Sequence, residues 1–217
     1  MGLTVVTHTN PKKTRDISKC LESVKAALPE NARHEVIELA TATAIEYAQA
    51  RHKTMLLDDI VVFVDDDDYI APDSLWMCLE AINKTDAGLA FTNEVIVAPD
   101  LTERIVSHST KYELIGITTQ IIHHMAMFRT KCVTSKSLDL AVKFECGIEW
   151  AMRSQAAFAQ GAVHVPIPGY YWVHHAGQHH KDPEVLRVAR KNLDQVGSEI
   201  RSWSDRKGAV PVWLPER

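Results

Sequence analysis

One stretch of this chain constrains its fold and its chemistry more than any other. The apolar run 60–64, mostly β-branched, is typical of a strand that is buried on both faces of a sheet. Four consecutive aspartates, Asp65 to Asp68, follow it directly. Ligands of open α/β sheets bind beyond the carboxyl ends of strands, and adjacent carboxylates repel one another unless a cation lies among them. The stretch therefore predicts a cation site at the end of a central strand.

The chemistry of these ligands narrows the identity of the cation. Carboxylate oxygens suit Mg²⁺ or Mn²⁺, and both ions keep waters and accept phosphate oxygens as further ligands. The pattern thus indicates a divalent metal that holds a phosphorylated substrate. The alternative is an acidic surface turn without a ligand, and the buried strand before it argues against that interpretation.

The composition of the chain argues against several classes of protein, although it leaves a local contact with DNA open. Its 217 residues suffice for one large domain, and a net charge of −4 offers no basic field for nucleic acid or an anionic membrane. We expect no transmembrane segment, because no run of about 18 apolar residues occurs, and no signal peptide, because the N-terminus is predicted to be a strand. The four cysteines are widely spaced without a Cys-x-x-Cys pair, which is typical of reduced thiols in a cytoplasmic protein.

Strand and helix patterns alternate along the chain. Apolar runs at 3–7 and 35–39 predict strands, and apolar residues at helical spacing follow the first of them. This alternation predicts an α/β fold with a parallel sheet and crossover helices. Later in the chain, we expect a helix over 145–160 and a long amphipathic helix that begins at 182–183. The segment 111–120 is uninformative.

Three stretches resemble a known family of enzymes. The first stretch begins with Ala-Arg-His-Lys at 50–53 and continues through the strand and the acidic turn to the Pro-x-x-Leu of 72–75. It resembles the corresponding stretch of GT-A glycosyltransferases of the broad family 2 type. The aromatic run with histidine and glycine at 170–177 and the strand at 124–129 are further matches. The resemblance covers roughly residues 1–180.

The resemblance implies both a fold and an activity. It implies a single GT-A, Rossmann-like domain over 1–180, with a mostly parallel central sheet flanked by helices. Residues 181–217 then form a C-terminal helix and an apolar tail packed on that domain. The activity implied is that of a metal-dependent, inverting hexosyl- or pentosyltransferase that uses a nucleotide-sugar donor and Mn²⁺ or Mg²⁺.

Metal and donor roles follow from the same resemblance. Asp67 matches the acid that ligates the metal, and His175 matches a loop histidine that supplies a nitrogen ligand, with His174 as its competitor. Asp65 matches the acid that faces the donor ribose or a metal-bound water, and Asp66 is grouped with it as a donor contact.

Further donor contacts are assigned by position. Arg51 is expected to neutralise the donor diphosphate, for which a planar guanidinium is well suited. Thr7 and His8 end the first strand, where the family holds the nucleoside. Glu38 stands near the place of an acid that contacts the nucleotide base. For each of these residues, an ordinary structural role is the alternative.

Glu149 is the candidate catalytic base. Inverting transfer requires a group that takes the proton of the acceptor hydroxyl, and a carboxylate at the start of the helix facing the metal is suited to this. Glu145, four residues earlier, is expected to share that helix face and is the alternative base. Aromatic residues at 150, 171 and 172 are candidates for stacking on a sugar or a base, although such residues more often pack in a core.

Two other functions and several acceptors stay open. A nucleotidyltransferase would show a glycine-rich loop after the first strand, and residues 7–11 contain no glycine. A catalytically inactive nucleotide-sugar-binding module is the second alternative. The acceptor is not readable from the sequence: a glycan, a lipid-linked sugar, a protein side chain and a hydroxylated base in phage-type DNA are all compatible with it.

Overall fold

The computed structural model of the protein describes residues 2–10, 16–39, 43–107, 111–115, 117, 122, 124–175 and 183–214. Its strands are β1 (Leu3–Thr9), β2 (Ala32–Glu38), β3 (Ile60–Phe63), β4 (Tyr69–Ile70), β5 (Leu89–Val97), β6 (Glu103–Val106), β7 (Ala126–Arg129) and β8 (Ala162–Val173). Its helices are α1 (Ser18–Ala27), α2 (Ala44–Thr54), α3 (Ser74–Thr85), α4 (Ser135–Phe144), α5 (Ile148–Gln160) and α6 (Pro183–Arg201).

The strands form one sheet in the order β2-β1-β3-β7-β5-β8-β4, and β6 pairs with β5. Strands β2, β1 and β3 are parallel, as are β5 and β8, whereas β7 runs antiparallel to both of its neighbours, β3 and β5. The predicted α/β class is confirmed. The sheet is mixed because β7 enters it antiparallel between two parallel parts, and because β4 and β6 run antiparallel to β8 and β5.

Helices cover both faces of the sheet, and the side chains of successive strand residues alternate between them. On β1, Val5 packs on the face that also buries Cys20 and Val24 of α1, whereas Val6 packs with Ala48 of α2. Full burial of each such aliphatic side chain stabilises the fold by about 1.5–3 kcal/mol. This two-sided burial explains why β3 is a continuous apolar run.

The helix expected over 145–160 is present but begins three residues later, as α5 at Ile148. Glu145 adopts a left-handed conformation at φ 54° and ends α4, and Gly147 at φ 79° precedes α5. The expectation that Glu145 shares a helix face with Glu149 is therefore wrong. Glycine tolerates a positive φ without strain, which explains why the chain turns here.

The end of the chain packs on the same domain. Val196 and Ile200 of α6 are buried against a cluster contributed by α4 and α5 that includes Trp150. Beyond α6, the His164 N–H donates to the Pro211 carbonyl at 2.8 Å, and the Trp213 N–H donates to the His164 carbonyl at 2.9 Å. The apolar tail thus runs beside β8. None of the helices in the described ranges is long and apolar enough to cross a membrane.

Candidate active site

The four aspartates form a turn between β3 and β4. The ladder between β1 and β3 continues up to this turn, because the Val64 N–H donates to the Val6 carbonyl at 3.1 Å. The turn itself is closed by the Asp68 N–H, which donates to the Asp65 carbonyl at 3.1 Å. The acidic residues therefore stand at the carboxyl end of a buried strand, as the sequence predicts.

Asp68 attaches the turn to β8. Its side chain is buried, and it accepts hydrogen bonds from the Tyr170 hydroxyl at 2.7 Å and from the Val173 N–H at 2.8 Å. The same hydroxyl accepts a bond from the Asp65 N–H at 3.2 Å. Burial raises the pKa of Asp68 well above its usual value, and the charges of Asp65 and Asp67 raise it further. Asp68 thus holds the turn in place.

Asp67 and His175 meet although 108 residues separate them in the chain. Nε2 of His175 lies 2.8 Å from Oδ2 of Asp67. The neighbouring His174 packs edge-on against Trp172, with ring centroids 4.3 Å apart. The structure therefore brings His175, and not His174, to the acid that the sequence analysis assigns to the metal.

The distance within this pair is that of a direct hydrogen bond, and it also suits two neighbouring ligands of one metal ion. Metal bonds of about 2.1 Å at right angles place neighbouring ligand atoms about 3 Å apart, close to the distance between the Asp67 and His175 donor atoms. Among the described residues, no group of three or more His, Cys, Asp or Glu is arranged to hold a metal ion. Further ligands would be waters and phosphate oxygens.

Arg51 links the acidic turn to α5. The capping box of Thr43 and Glu46 fixes the start of α2, and Arg51 lies in the last turn of that helix with only 1% of its side chain exposed. Its Nη2 donates to Oδ1 of Asp65 at 2.7 Å and lies 3.1 Å from Oε1 of Glu149. Its Nε–H donates to the Tyr47 hydroxyl at 2.7 Å. Arg51 is thus an internal cation and not a solvated helix end.

Glu149 lies in the first turn of α5 and is enclosed by donors. The Tyr47 hydroxyl donates to its Oε1 at 2.7 Å, and Nη2 of Arg153 pairs with its Oε2. Burial alone raises the pKa of Glu149, but Arg51 and Arg153 outweigh burial and hold this pKa well below its usual range. The candidate base is therefore ionised and firmly held.

The segment before β7 closes this cluster. The Ile122 carbonyl accepts a 3.1 Å bond from Nη1 of Arg153. The buried ring of His124 stacks on Tyr170 with centroids 4.6 Å apart, and its Nε2 lies 3.8 Å from Oδ2 of Asp65. Burial raises the pKa of Asp65 to about 6, with Glu149 and Asp67 adding to the shift and Arg51 opposing it.

His8 lies beside this cluster. Its ring is 5.8 Å from that of Phe63 and 6.1 Å from that of Tyr47, and the Arg51 guanidinium lies 4.2 Å from the Phe63 ring. Burial, reinforced by Arg51, lowers the pKa of His8 to about 3, so the imidazole is neutral. Within the described part of the chain, neither His8 nitrogen nor Nη1 of Arg51 has a hydrogen-bond partner, although all three are buried. Such unsatisfied groups require an explanation, and a bound ligand is one.

The other predicted donor contacts are placed differently. The Thr7 hydroxyl lies 3.0 Å from Nε2 of His34 and 3.9 Å from Sγ of Cys20, so it is already engaged on the α1 side of the sheet. Glu38 is exposed at the end of β2, and Asp66 is half-buried within the acidic turn. The donor roles of these residues stay predictions.

Sequence reasoning missed four residues of this cluster: Tyr47, His124, Arg153 and Tyr170. One signal was available, because Tyr47 with Arg51 and Glu149 with Arg153 are pairs at i, i+4, which lie on one face of a helix. Of the aromatic candidates for stacking on a ligand, Trp150 instead packs against α6. Tyr171 stacks on Tyr69, with ring centroids 4.5 Å apart.

The fold is similar to that of TarS from S. aureus. The TM-score is 0.57 at 15% sequence identity, and the match covers 94% of this chain but only 44% of that TarS chain. For TarS 1-349 in complex with UDP-GlcNAc, the TM-score is 0.58 at 14% identity, with 94% of this chain and 74% of that chain covered. For TarS 1-349 in complex with UDP, the TM-score is 0.56 at 14% identity, with 92% of this chain and 70% of that chain covered.

Sequence comparison alone does not detect this likeness. No protein-family model and no curated protein sequence matches the chain. At such low identity, the likeness to TarS shows the fold alone, which is an α/β fold with one mixed sheet. The chain spans less than half the length of one of these TarS chains.

Proposed function

We propose that this protein is a metal-dependent, inverting glycosyltransferase that moves a hexosyl or pentosyl group from a nucleotide-sugar donor to an acceptor hydroxyl. The observation that carries the proposal is the pairing of Asp67 with His175 at 2.8 Å. In a fold shared with TarS, this pair stands at the carboxyl end of a central strand, where open α/β sheets bind their ligands.

Asp67 and His175 would hold Mn²⁺ or Mg²⁺ in this proposal. The ion, when bound, would supply positive charge that neutralises the donor diphosphate and the leaving group. A mixed oxygen and nitrogen ligand set suits Mn²⁺. Asp68 and Tyr170 contribute by holding the turn, because their hydrogen bonds fix the acidic residues relative to β8.

The unsatisfied groups beside the turn support binding of a nucleotide. A neutral His8 ring offers one nitrogen donor and one acceptor, which a nucleoside can pair with. The free Nη1 of Arg51 offers a charged donor to a phosphate oxygen. TarS 1-349 binds UDP-GlcNAc and UDP, and we infer a uridine or similar nucleotide donor for this chain.

The transfer step requires a proton acceptor, which we assign to Glu149. The acceptor oxygen forms a bond to the anomeric carbon, the bond from that carbon to the diphosphate oxygen breaks, and the hydroxyl proton passes to Glu149. The pair of electrons leaves with the nucleoside diphosphate. Glu149 is ionised at neutral pH and can accept this proton, although the surrounding arginines reduce its basicity.

The test is a screen of the purified protein against nucleotide sugars, with released nucleoside diphosphate as the readout. Each donor is assayed with Mn²⁺, with Mg²⁺ and with EDTA, and Asp67→Asn protein serves as the matched control. We expect release from at least one donor that requires the metal and is lost in the variant. Metal-dependent binding of a donor without any release would indicate a binding module and contradict the proposal.

The acceptor is tested in a second arm of the same screen. A donor that passes the first arm is offered with simple glycans, lipid-linked sugars, peptides and DNA with hydroxymethylated bases. An acceptor of the enzyme increases the rate of nucleotide release above that of slow donor hydrolysis. Product anomeric configuration, read by NMR, then decides between inversion and retention.

A further inference from the structure

We propose that Arg153 is a positioning residue that holds Glu149 ionised and fixes the orientation of its carboxylate. This inference rests on the proposed function, in which Glu149 takes the acceptor proton. Arg153 itself is not expected to touch the donor or the acceptor. It acts through Glu149, and its removal should change the proton affinity of that carboxylate.

The geometry of Arg153 fits this role. It lies one helical turn after Glu149 on α5, and only 8% of its side chain is exposed. The two terminal nitrogens of its guanidinium have different partners. Nη2 pairs with Oε2 of Glu149, and Nη1 donates to the Ile122 carbonyl at 3.1 Å. This fork fixes Glu149 relative to the segment that precedes β7. A lysine cannot reproduce it, because an ammonium group lacks the planar pair of donors.

The two oxygens of Glu149 have separate partners. Oε1 faces α2, where it accepts from the Tyr47 hydroxyl at 2.7 Å and lies 3.1 Å from Arg51, and Oε2 faces Arg153. Arg51 also pairs with Asp65, because its Nη2 donates to Oδ1 of Asp65 at 2.7 Å. Arg51 is thus shared between two carboxylates, whereas Arg153 makes its carboxylate pair with Glu149.

Removal of Arg153 should therefore release Oε2 and weaken the hold on Glu149. The titratable and charged groups that face Glu149 are Tyr47 and Arg51 from α2, Arg153 from α5, His124 from the segment before β7, Asp65 from the acidic turn and His8 from β1. Asp65 disfavours the charged form of Glu149, whereas Arg51 and Arg153 favour it. Without Arg153, one of the two charges that favour ionised Glu149 is lost, so Glu149 is protonated more readily.

The decisive measurement is the titration of the Glu149 side-chain carboxyl, followed by carbon NMR in the donor-free protein. The resonance is assigned by its loss in Glu149→Gln protein. We expect the carboxyl to stay ionised throughout the acidic range in which the wild-type protein is folded. In Arg153→Gln protein, loss of an adjacent opposite charge should raise the proton affinity of this carboxyl about tenfold or more, so that its protonation begins within that range.

Arg153→Lys is the conservative control. It keeps the charge but not the fork, so the Glu149 midpoint should rise by less than in Arg153→Gln. If Arg153→Gln protein does not fold, the titration of Glu149 in Arg153→Lys protein alone tests the proposal. The proposal is overturned if the Glu149 carboxyl of a folded Arg153 variant stays as fully ionised as in the wild type over this range, because a merely structural arginine would not tune this carboxyl.

Turnover provides a second readout that separates this inference from the proposed function. Turnover is measured against pH with the donor that the screen identifies. In Arg153→Gln protein, the acid limb of the pH profile of kcat should move to higher pH together with the Glu149 midpoint, while KM for the donor changes little. If wild-type protein transfers no sugar, the proposed function fails, and the NMR midpoint still decides whether Arg153 controls Glu149. A shifted midpoint with an unshifted acid limb would overturn the role of Arg153 in positioning the base.

Discussion

The Tyr170 hydroxyl donates a 2.7 Å hydrogen bond to Oδ2 of Asp68 across 102 residues of sequence. Because Asp68 is also bonded to the Val173 N–H, the buried acid joins the acidic turn to β8 at two points. The Asp67 and His175 side chains extend from these same two segments. The distance between the candidate metal ligands therefore depends on a pair of residues that ligate nothing themselves.

Tyr170→Phe tests this dependence. The change removes the hydroxyl but keeps the ring that stacks on His124, and it leaves a buried carboxyl without one of its donors. We expect a loss of about 1–3 kcal/mol in the free energy of unfolding, measured in urea, and weaker metal-dependent donor binding. Tyr171→Phe is the matched control, since Tyr171 stacks on Tyr69 instead. Equal stability losses in the two variants would contradict the account.

His175→Ala should weaken donor binding in the presence of Mn²⁺ but not in its absence. The expected loss is about tenfold or more, because a nitrogen ligand is removed from the metal. His174→Ala, whose side chain packs on Trp172, should leave metal-dependent binding close to that of wild type. Calorimetric titration with UDP measures both. A comparable loss in His174→Ala would mean that the assigned ligand is in error by one residue.

Glu149→Gln should lower kcat by about a hundredfold or more, because loss of a general base typically costs that much. The amide keeps the shape of the side chain but cannot balance the charges of Arg51 and Arg153, so we also expect reduced stability. Donor affinity, measured in the same variant, should change little. A large loss of donor binding would instead place Glu149 among the groups that contact the nucleotide.

The pH dependence of stability tests the environment of Asp65. Its pKa is raised to about 6 in the folded protein, against about 3.9 in an unfolded chain. The folded state therefore binds the proton more tightly, and the resulting stabilisation is present below about pH 4 and is lost as the pH rises through about 6. Urea unfolding should show a smaller loss of stability across this window in metal-free Asp65→Asn protein than in wild type. Identical pH dependences would contradict the assigned burial.

The part of the site that is local in sequence could be predicted from the sequence. The apolar strand and the aspartates that end it are adjacent, so the burial of one and the position of the other follow from a single pattern. The meeting of Asp67 with His175 could not be derived in this way, because it depends on how β4 pairs with β8. It was predicted from the family resemblance alone.

The remainder depends on tertiary packing. Tyr47 and Glu149 lie 102 residues apart, and no local pattern indicates that α2 and α5 bring them together. The expected helix start at Glu145 is wrong because the positive φ angles of Glu145 and Gly147, which residue spacing does not reveal, delay the start of α5 until Ile148. Likewise, β7 runs antiparallel to both β3 and β5. The spacing of apolar residues along a strand cannot reveal the direction in which that strand pairs.

The most direct test of the account is calorimetric titration of UDP into wild-type and Asp67→Asn protein, each with Mn²⁺ and with EDTA. Removal of one of four mutually repelling carboxylates should leave the melting temperature unchanged or raised, so the variant stays folded. We predict that Mn²⁺ strengthens UDP binding by about tenfold or more in the wild type and has almost no effect in Asp67→Asn. An equal Mn²⁺ effect in both proteins would contradict the assignment of Asp67 as the metal ligand of a nucleotide-sugar site.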